Sequence, residues 1–193
     1  MIVEKVLIDA CRKGNCSEVE SILLNQTEDL NEEIEKGFRI ACIRGHLELV
    51  QCLLNLHHEK RINIKILKND LIHSVLLKGH FKIVKILIEC KIKNTIQVQI
   101  NMDTLFKLAC KSRSVSIVKF LLELKGDNFI NTKAVGISFI KCCELGITDV
   151  MEVLLSIQDI RRISVQDIFQ GFITACKNGQ ISIVERLNKL DEI

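Results

Sequence analysis

Apolar residues recur along this chain in short bursts at helical spacing. Phe38, Ala41 and Cys42 stand at i, i+3 and i+4, and Val50, Leu53 and Leu54 repeat the spacing after Gly45. The pattern predicts two short amphipathic helices joined by a tight turn at Arg44–Gly45, where a positive φ costs a glycine little. Such a hairpin cannot bury its apolar faces alone, so it needs neighbours, and the sequence supplies them.

Gly45 has counterparts at Gly14, Gly79, Arg113, Gly146 and Gly179, spaced 31 to 34 residues apart. Seven residues before each lie Leu7, Phe38, Ile72, Phe106, Phe139 and Phe172. Four before lie Ala10, Ala41, Val75, Ala109, Cys142 and Ala175, and three before lie Cys11, Cys42, Leu76, Cys110, Cys143 and Cys176. Five after stand Val19, Val50, Val84, Val118, Met151 and Val184, and eight after stand Ile22, Leu53, Leu87, Leu121, Leu154 and Leu187. One chemistry held in five slots through six units predicts a stacked array. The units run over about 3–25, 36–58, 70–92, 104–126, 138–160 and 170–190, in a single domain over 1–193.

The stretches ACIRGHLELVQCLL, VLLKGHFKIVKILI and ACKNGQISIVERL resemble the core of an ankyrin repeat. The resemblance covers nearly the whole chain, and the period fits that family. The family's T-P-L-H-x-A opening is missing, since the chain has no proline; only Thr104 and His73 stand in its Thr and His slots. The Gly-Ala-Asp-Val-Asn finger signature is also absent, with partial counterparts at Leu30–Asn31, Ile62–Asn63, Ile100–Asn101 and Ile130–Asn131. The expected fold is therefore all-α or nearly so: an ankyrin-like helical solenoid of about six helix-turn-helix repeats, with irregular loops or short β-hairpin fingers. Asn25–Glu35 reads as the first loop, and Lys91–Asn101, rich in β-branched residues, as an extended finger. Lys125–Asn128 reads as a turn, and Ser112–Arg113–Ser114 as a modified one. Arg186 and Asn188 suggest a polar end face on the last unit, as terminal repeats need.

Composition narrows the chemistry. The chain has 193 residues, 48% of them hydrophobic, and a net charge of +3. Its N-terminal stretch lacks the basic start and continuous apolar core of a signal peptide, and no run approaches a membrane span of about 18 apolar residues. These features point to the cytoplasm or another reducing compartment, with export by a route lacking a cleavable signal left open. Five of the nine cysteines share one slot, where Cys serves as a small buried hydrophobe. Neighbouring units are spaced by about 10 Å, too far for disulfides along that row. No C-x-x-C or finger-spaced Cys/His set is present, so no metal or cofactor is expected. The His57–Arg61 stretch reads as a solvated loop, and His46 and His80 as turn and inter-repeat hydrogen-bonding groups.

No phosphate loop, H-E-x-x-H or G-x-S-x-G occurs, so an enzyme is not expected. With no Trp or Tyr for base stacking and little net charge, nucleic acid is a poor partner. Resemblance to the family implies that the last positions of the first helices face a concave groove used for partners. On that basis Arg12, Lys13, Arg44, Lys78 and Lys111 form a basic row, joined by Arg39 and Lys107. Leu77, with Leu145, is exposed apolar surface able to anchor a partner. A solvated face kept for solubility would carry the same charges. The resulting expectation is a monomeric, non-catalytic protein–protein interaction module, acting as scaffold, adaptor or inhibitor, that binds another protein through an acidic segment. A structural or self-assembling repeat module of a larger protein is the alternative.

Overall fold

A computed structural model describes residues 2–25, 30–59, 62, 64, 69–97 and 99–190. Among them the regular elements are helical and no strand occurs. The helices pair as α1 (Ile2–Lys13) with α2 (Cys16–Asn25), α3 (Asn31–Arg44) with α4 (Leu47–His58), and α5 (Asn69–Leu77) with α6 (Phe81–Ile92). Then follow α7 (Met102–Lys111) with α8 (Val115–Glu123), α9 (Thr132–Leu145) with α10 (Thr148–Leu155), and α11 (Val165–Lys177) with α12 (Ile181–Asn188). The chain divides into two compact units, Met1–Ile100 and Asn101–Ile193. Each holds three pairs, first helix against first helix along the stack.

The five sequence slots are the core. Phe38, Phe106 and Phe139 are among the largest fully buried side chains, and all six residues four before the reference are buried. Exceptions fall at the first and last pairs: Ile22, Phe172 and Val184 are half-buried and Cys176 is exposed.

Five of the six first helices end alike; at the other, α9, the N–H groups of Gly146 and Ile147 both donate to the Cys142 carbonyl. The N–H of Gly45 donates to the Cys42 carbonyl (3.2 Å) and that of His46 to the Ala41 carbonyl (3.0 Å). This double bond across a left-handed residue satisfies two orphan carbonyls of the helix end. Arg113 does the same at φ 58°, with Arg113 N–H on Cys110 O (3.1 Å) and Ser114 N–H on Ala109 O (3.0 Å). The modified turn expected there is not found. The paired hydrogen bonds hold the left-handed form against a steric cost of about 1–2 kcal/mol for a residue with a Cβ.

Side chains then latch one repeat to the next. His46 Nε2 donates to the Arg12 carbonyl (2.9 Å), and His80 Nε2 to the Ile43 carbonyl (3.1 Å). Gln180 Nε2 does the same to the Glu144 carbonyl (3.2 Å). Each lies over the preceding reference glycine: a Cβ on Gly14 would stand 2.7 Å from His46 Nδ1, and one on Gly45 2.5 Å from His80 Nδ1. His46 and His80 thus have the hydrogen-bonding role read from the sequence.

Several boundaries move. Helix α3 begins at Asn31, inside the stretch expected to be a loop, with Glu32 and Glu33 in its first turn and Ile34 buried. Helices α9 and α11 likewise begin at Thr132 and Val165. Without the family's proline to mark a start, α9 and α11 run back to a polar cap, whereas α3 starts after Leu30 with no side-chain cap. Asn131 accepts from the Ala134 N–H (2.7 Å), and Ser164 from the Asp167 N–H (3.0 Å). No strand forms among the described residues of Lys91–Asn101; Asn94 turns at φ 51° and Ile96 is buried. The turn at Lys125–Asn128 is present as a 3-10 turn over Gly126–Asn128. His57 is half-buried rather than solvated: its Nδ1 accepts from Ile64 N–H (3.1 Å) and its Nε2 donates to the Thr95 carbonyl (3.3 Å). Lys60, Arg61 and Asn63 lie outside the described residues. The polar end face is also mixed. Arg186 is drawn back to Glu152 (2.6 Å), while Val165, Phe169 and Ile181 are 84%, 65% and 70% exposed.

Candidate functional site

The last turn of a first helix buries only the side chains on one side, such as Ala41 and Cys42, because only that side meets neighbours. In the first unit this places Lys13, Arg44 and Lys78 in solvent. None of the three has an ion pair among the described residues. Arg12 is exposed but pairs with Asp9 (2.7 Å), and Arg39 reaches across to Asp70 of α5 (2.7 Å). The Arg39 guanidinium holds the Asp70 carboxyl below the usual carboxylate range. Two of the cations expected to face a partner are therefore already matched internally. Leu77 is 63% exposed at the end of α5.

In the second unit Lys107 and Lys111 are exposed on α7, one turn apart. They border a groove of about 460 Å³ between α7 and α9. Thr104, Lys107, Leu108 and Lys111 line one wall and Ile137, Ile140, Lys141 and Glu144 the other. Both sets follow i, i+3, i+4, i+7, so each helix presents one face. Lys141 is held by Glu144 at 2.6 Å. The floor includes Ser138, whose hydroxyl is buried without a hydrogen-bond partner. Sequence reading selected Lys107 and Lys111 and missed Leu108, Ile137 and Ile140. The same slots counted nine, six and five residues before each reference position would have exposed them.

The nine cysteines are free thiols. Cys11, Cys42, Cys110 and Cys143 are buried in the shared row, and burial pushes the Cys11 thiol up to about 11 and Cys143 to about 12. Cys142, one slot off the row, meets Cys110 in a hydrogen bond that, with burial, pushes its own thiol up. Cys52 donates to Glu20 Oε1 (3.1 Å); burial first, then that bond, raise it to about 12. Among the described residues no group of three His, Cys, Asp or Glu is placed to hold a metal ion, and no helix is long and apolar enough to cross a membrane.

A search of curated proteins finds no match. The family model described as ankyrin repeats (3 copies) matches twice, over residues 7–98 and 38–134. Ankyrin repeats are generally protein–protein interaction modules and typically not enzymes. The slot register, the six left-handed helix ends and matches spanning well over half of its length agree: this chain belongs to the ankyrin-repeat family.

Proposed function

We propose that this protein is a non-catalytic recognition module that binds an acidic segment of another protein on the exposed face of its first helices. The observation that carries the reading is exposed cations without ion pairs among the described residues: Lys107 and Lys111 beside the groove of the second unit and, separately, Lys13, Arg44 and Lys78 at first-helix ends of the first unit. A solubility face would not need a roomy apolar groove beside two of them. Basic residues at helix ends also complement the helix dipole, but only by about 0.3–1 kcal/mol each. Focused positive charge speeds encounter with an acidic partner and selects against basic ones. Free thiols throughout support a reducing compartment such as the cytoplasm.

The test uses a fluorescein-labelled, Asp/Glu-rich peptide of twelve residues and the full chain. Binding measured by anisotropy should weaken steeply with salt, since the Debye length falls from about 10 Å at 0.1 M to about 3 Å at 1 M. Lys107→Gln with Lys111→Gln should weaken it at least tenfold while costing only about 1–2 kcal/mol of stability, the helix-dipole share of two exposed cations. Equal binding by the double variant would refute the reading. The exposed Val165, Phe169 and Ile181 favour a second reading, end-to-end self-assembly. Light scattering separates the two: the recognition module is a monomer.

A further inference from the structure

The geometry points to the groove between α7 and α9 as an anchor site that takes one bulky apolar side chain of the acidic partner segment. This rests on the recognition reading above and gives it a chemical requirement that charge alone does not. The two walls meet the segment with different chemistry. Leu108, Ile137 and Ile140 supply an apolar lining, and Ile137 is 43% exposed. Lys107 and Lys111 stand on the rim one turn apart and have no ion pair among the described residues. The third rim cation, Lys141, is neutralised by Glu144. An acidic chain crossing the rim would place carboxylates against Lys107 and Lys111.

The volume, about 460 Å³, lies in the range of ligand pockets, roughly 300–1,000 Å³, and exceeds what a single flat patch offers. The floor is shallow in polar atoms: the Ser138 hydroxyl is buried with its hydrogen bond unmade. A tip able to reach that hydroxyl would pair it, but the walls are lined mainly by Leu108, Ile137, Ile140 and Ile147, so an aliphatic or phenyl group fits them. Apolar anchors seated in pockets dominate interface energetics, while rim charges tune approach. With no Trp or Tyr in this chain, the anchor comes from the partner and the pocket from this protein.

Two labelled twelve-residue peptides test this, identical and Asp/Glu-rich except for a central Leu or Ser. At 0.05 M salt the Leu peptide should bind the full chain about tenfold or more tightly than the Ser peptide. In Ile137→Ser that preference should shrink to within about twofold, whereas Lys107→Gln with Lys111→Gln should weaken both peptides alike. Should Ile137→Ser not fold, as judged by circular dichroism, a photoreactive leucine at the central position should crosslink the wild-type protein on α7 or α9. Equal binding of both peptides, a Leu preference undiminished in Ile137→Ser, or crosslinks confined to other helices would each overturn the anchor site. Equal binding that still weakens in the Lys107→Gln, Lys111→Gln double variant would overturn the anchor alone and leave acidic recognition standing; no binding of either peptide would end both.

Discussion

Replacing Gly45 by alanine sets two costs against one gain. Gly45 holds φ 80° at the end of α3, a region where a Cβ costs about 1–2 kcal/mol. The new methyl would also lie 2.5 Å from His80 Nδ1, so the ring must move and release its 3.1 Å bond to the Ile43 carbonyl. Losing such a bond costs about 1 kcal/mol. Against these, alanine restricts the unfolded chain and returns about 0.4–1 kcal/mol. The net expectation is a loss of about 2 kcal/mol, measured from urea midpoints by circular dichroism at 222 nm. The latch makes a sharper demand. In a His80→Ala background the ring and its bond are already gone, so Gly45→Ala should cost only about 0.5–1 kcal/mol. A double-mutant cycle should therefore show about 1 kcal/mol of coupling between positions 45 and 80. Additivity within about 0.3 kcal/mol would mean that the histidine covers the turn without bracing it.

Further substitutions and a thiol probe test other contacts of the fold. Arg113→Gly should raise stability by about 0.5 kcal/mol in the same urea assay, the left-handed strain released being partly offset by the freer unfolded chain. Arg161 is only 6% exposed, donates to the Leu122 carbonyl (2.9 Å), lies 4.3 Å over the Phe129 ring and pairs with Asp159. Arg161→Ala should cost about 2–3 kcal/mol through the orphaned carbonyl and lost packing, against about 1 kcal/mol or less for Arg186→Ala, whose bond to Glu152 is exposed. Arg161 also holds the Asp159 carboxyl below the usual range, so the stability it lends is present above the unfolded value near ~4 and drains as pH falls through the folded one. Asp159→Asn should flatten that acid loss in urea titrations between pH 5 and 3. With a thiol reagent at pH 8, Cys176 should react within the mixing time, while Cys11, Cys42, Cys52 and Cys143 react only on unfolding, because raised thiols leave little thiolate; fast labelling of Cys42 in the folded protein would refute this.

The helix pairs were legible because their determinants are local. Spacing of Phe38, Ala41 and Cys42 sets a helix face, and Gly45 sets where it ends. Helix starts were less legible. They depend on caps such as Asn131, which also binds Asp103 of α7, a partner 28 residues away. Arg161 was invisible for the same reason: its acceptor at Leu122 is 39 residues upstream, and nothing in a lone Asp-Ile-Arg announces a buried guanidinium. Of the site, the charges were readable and the groove was not. Lys107 and Lys111 declare themselves by type, whereas Ile137 and Leu108 look like core until their helices are placed and leave a gap. Arg12 and Arg39 show the converse, since a cation read as free can be matched by Asp9 or Asp70.

Recognition by the first-helix face is tested most directly by amide NMR. The full chain, labelled with nitrogen-15, is titrated with the Leu-centred acidic peptide at low salt. Shift changes should concentrate at Lys107, Leu108, Lys111, Ile137 and Ile140 and fade as salt is raised. Changes centred on second-helix residues such as Lys119 or Glu152, or no changes at saturating peptide, would contradict the account.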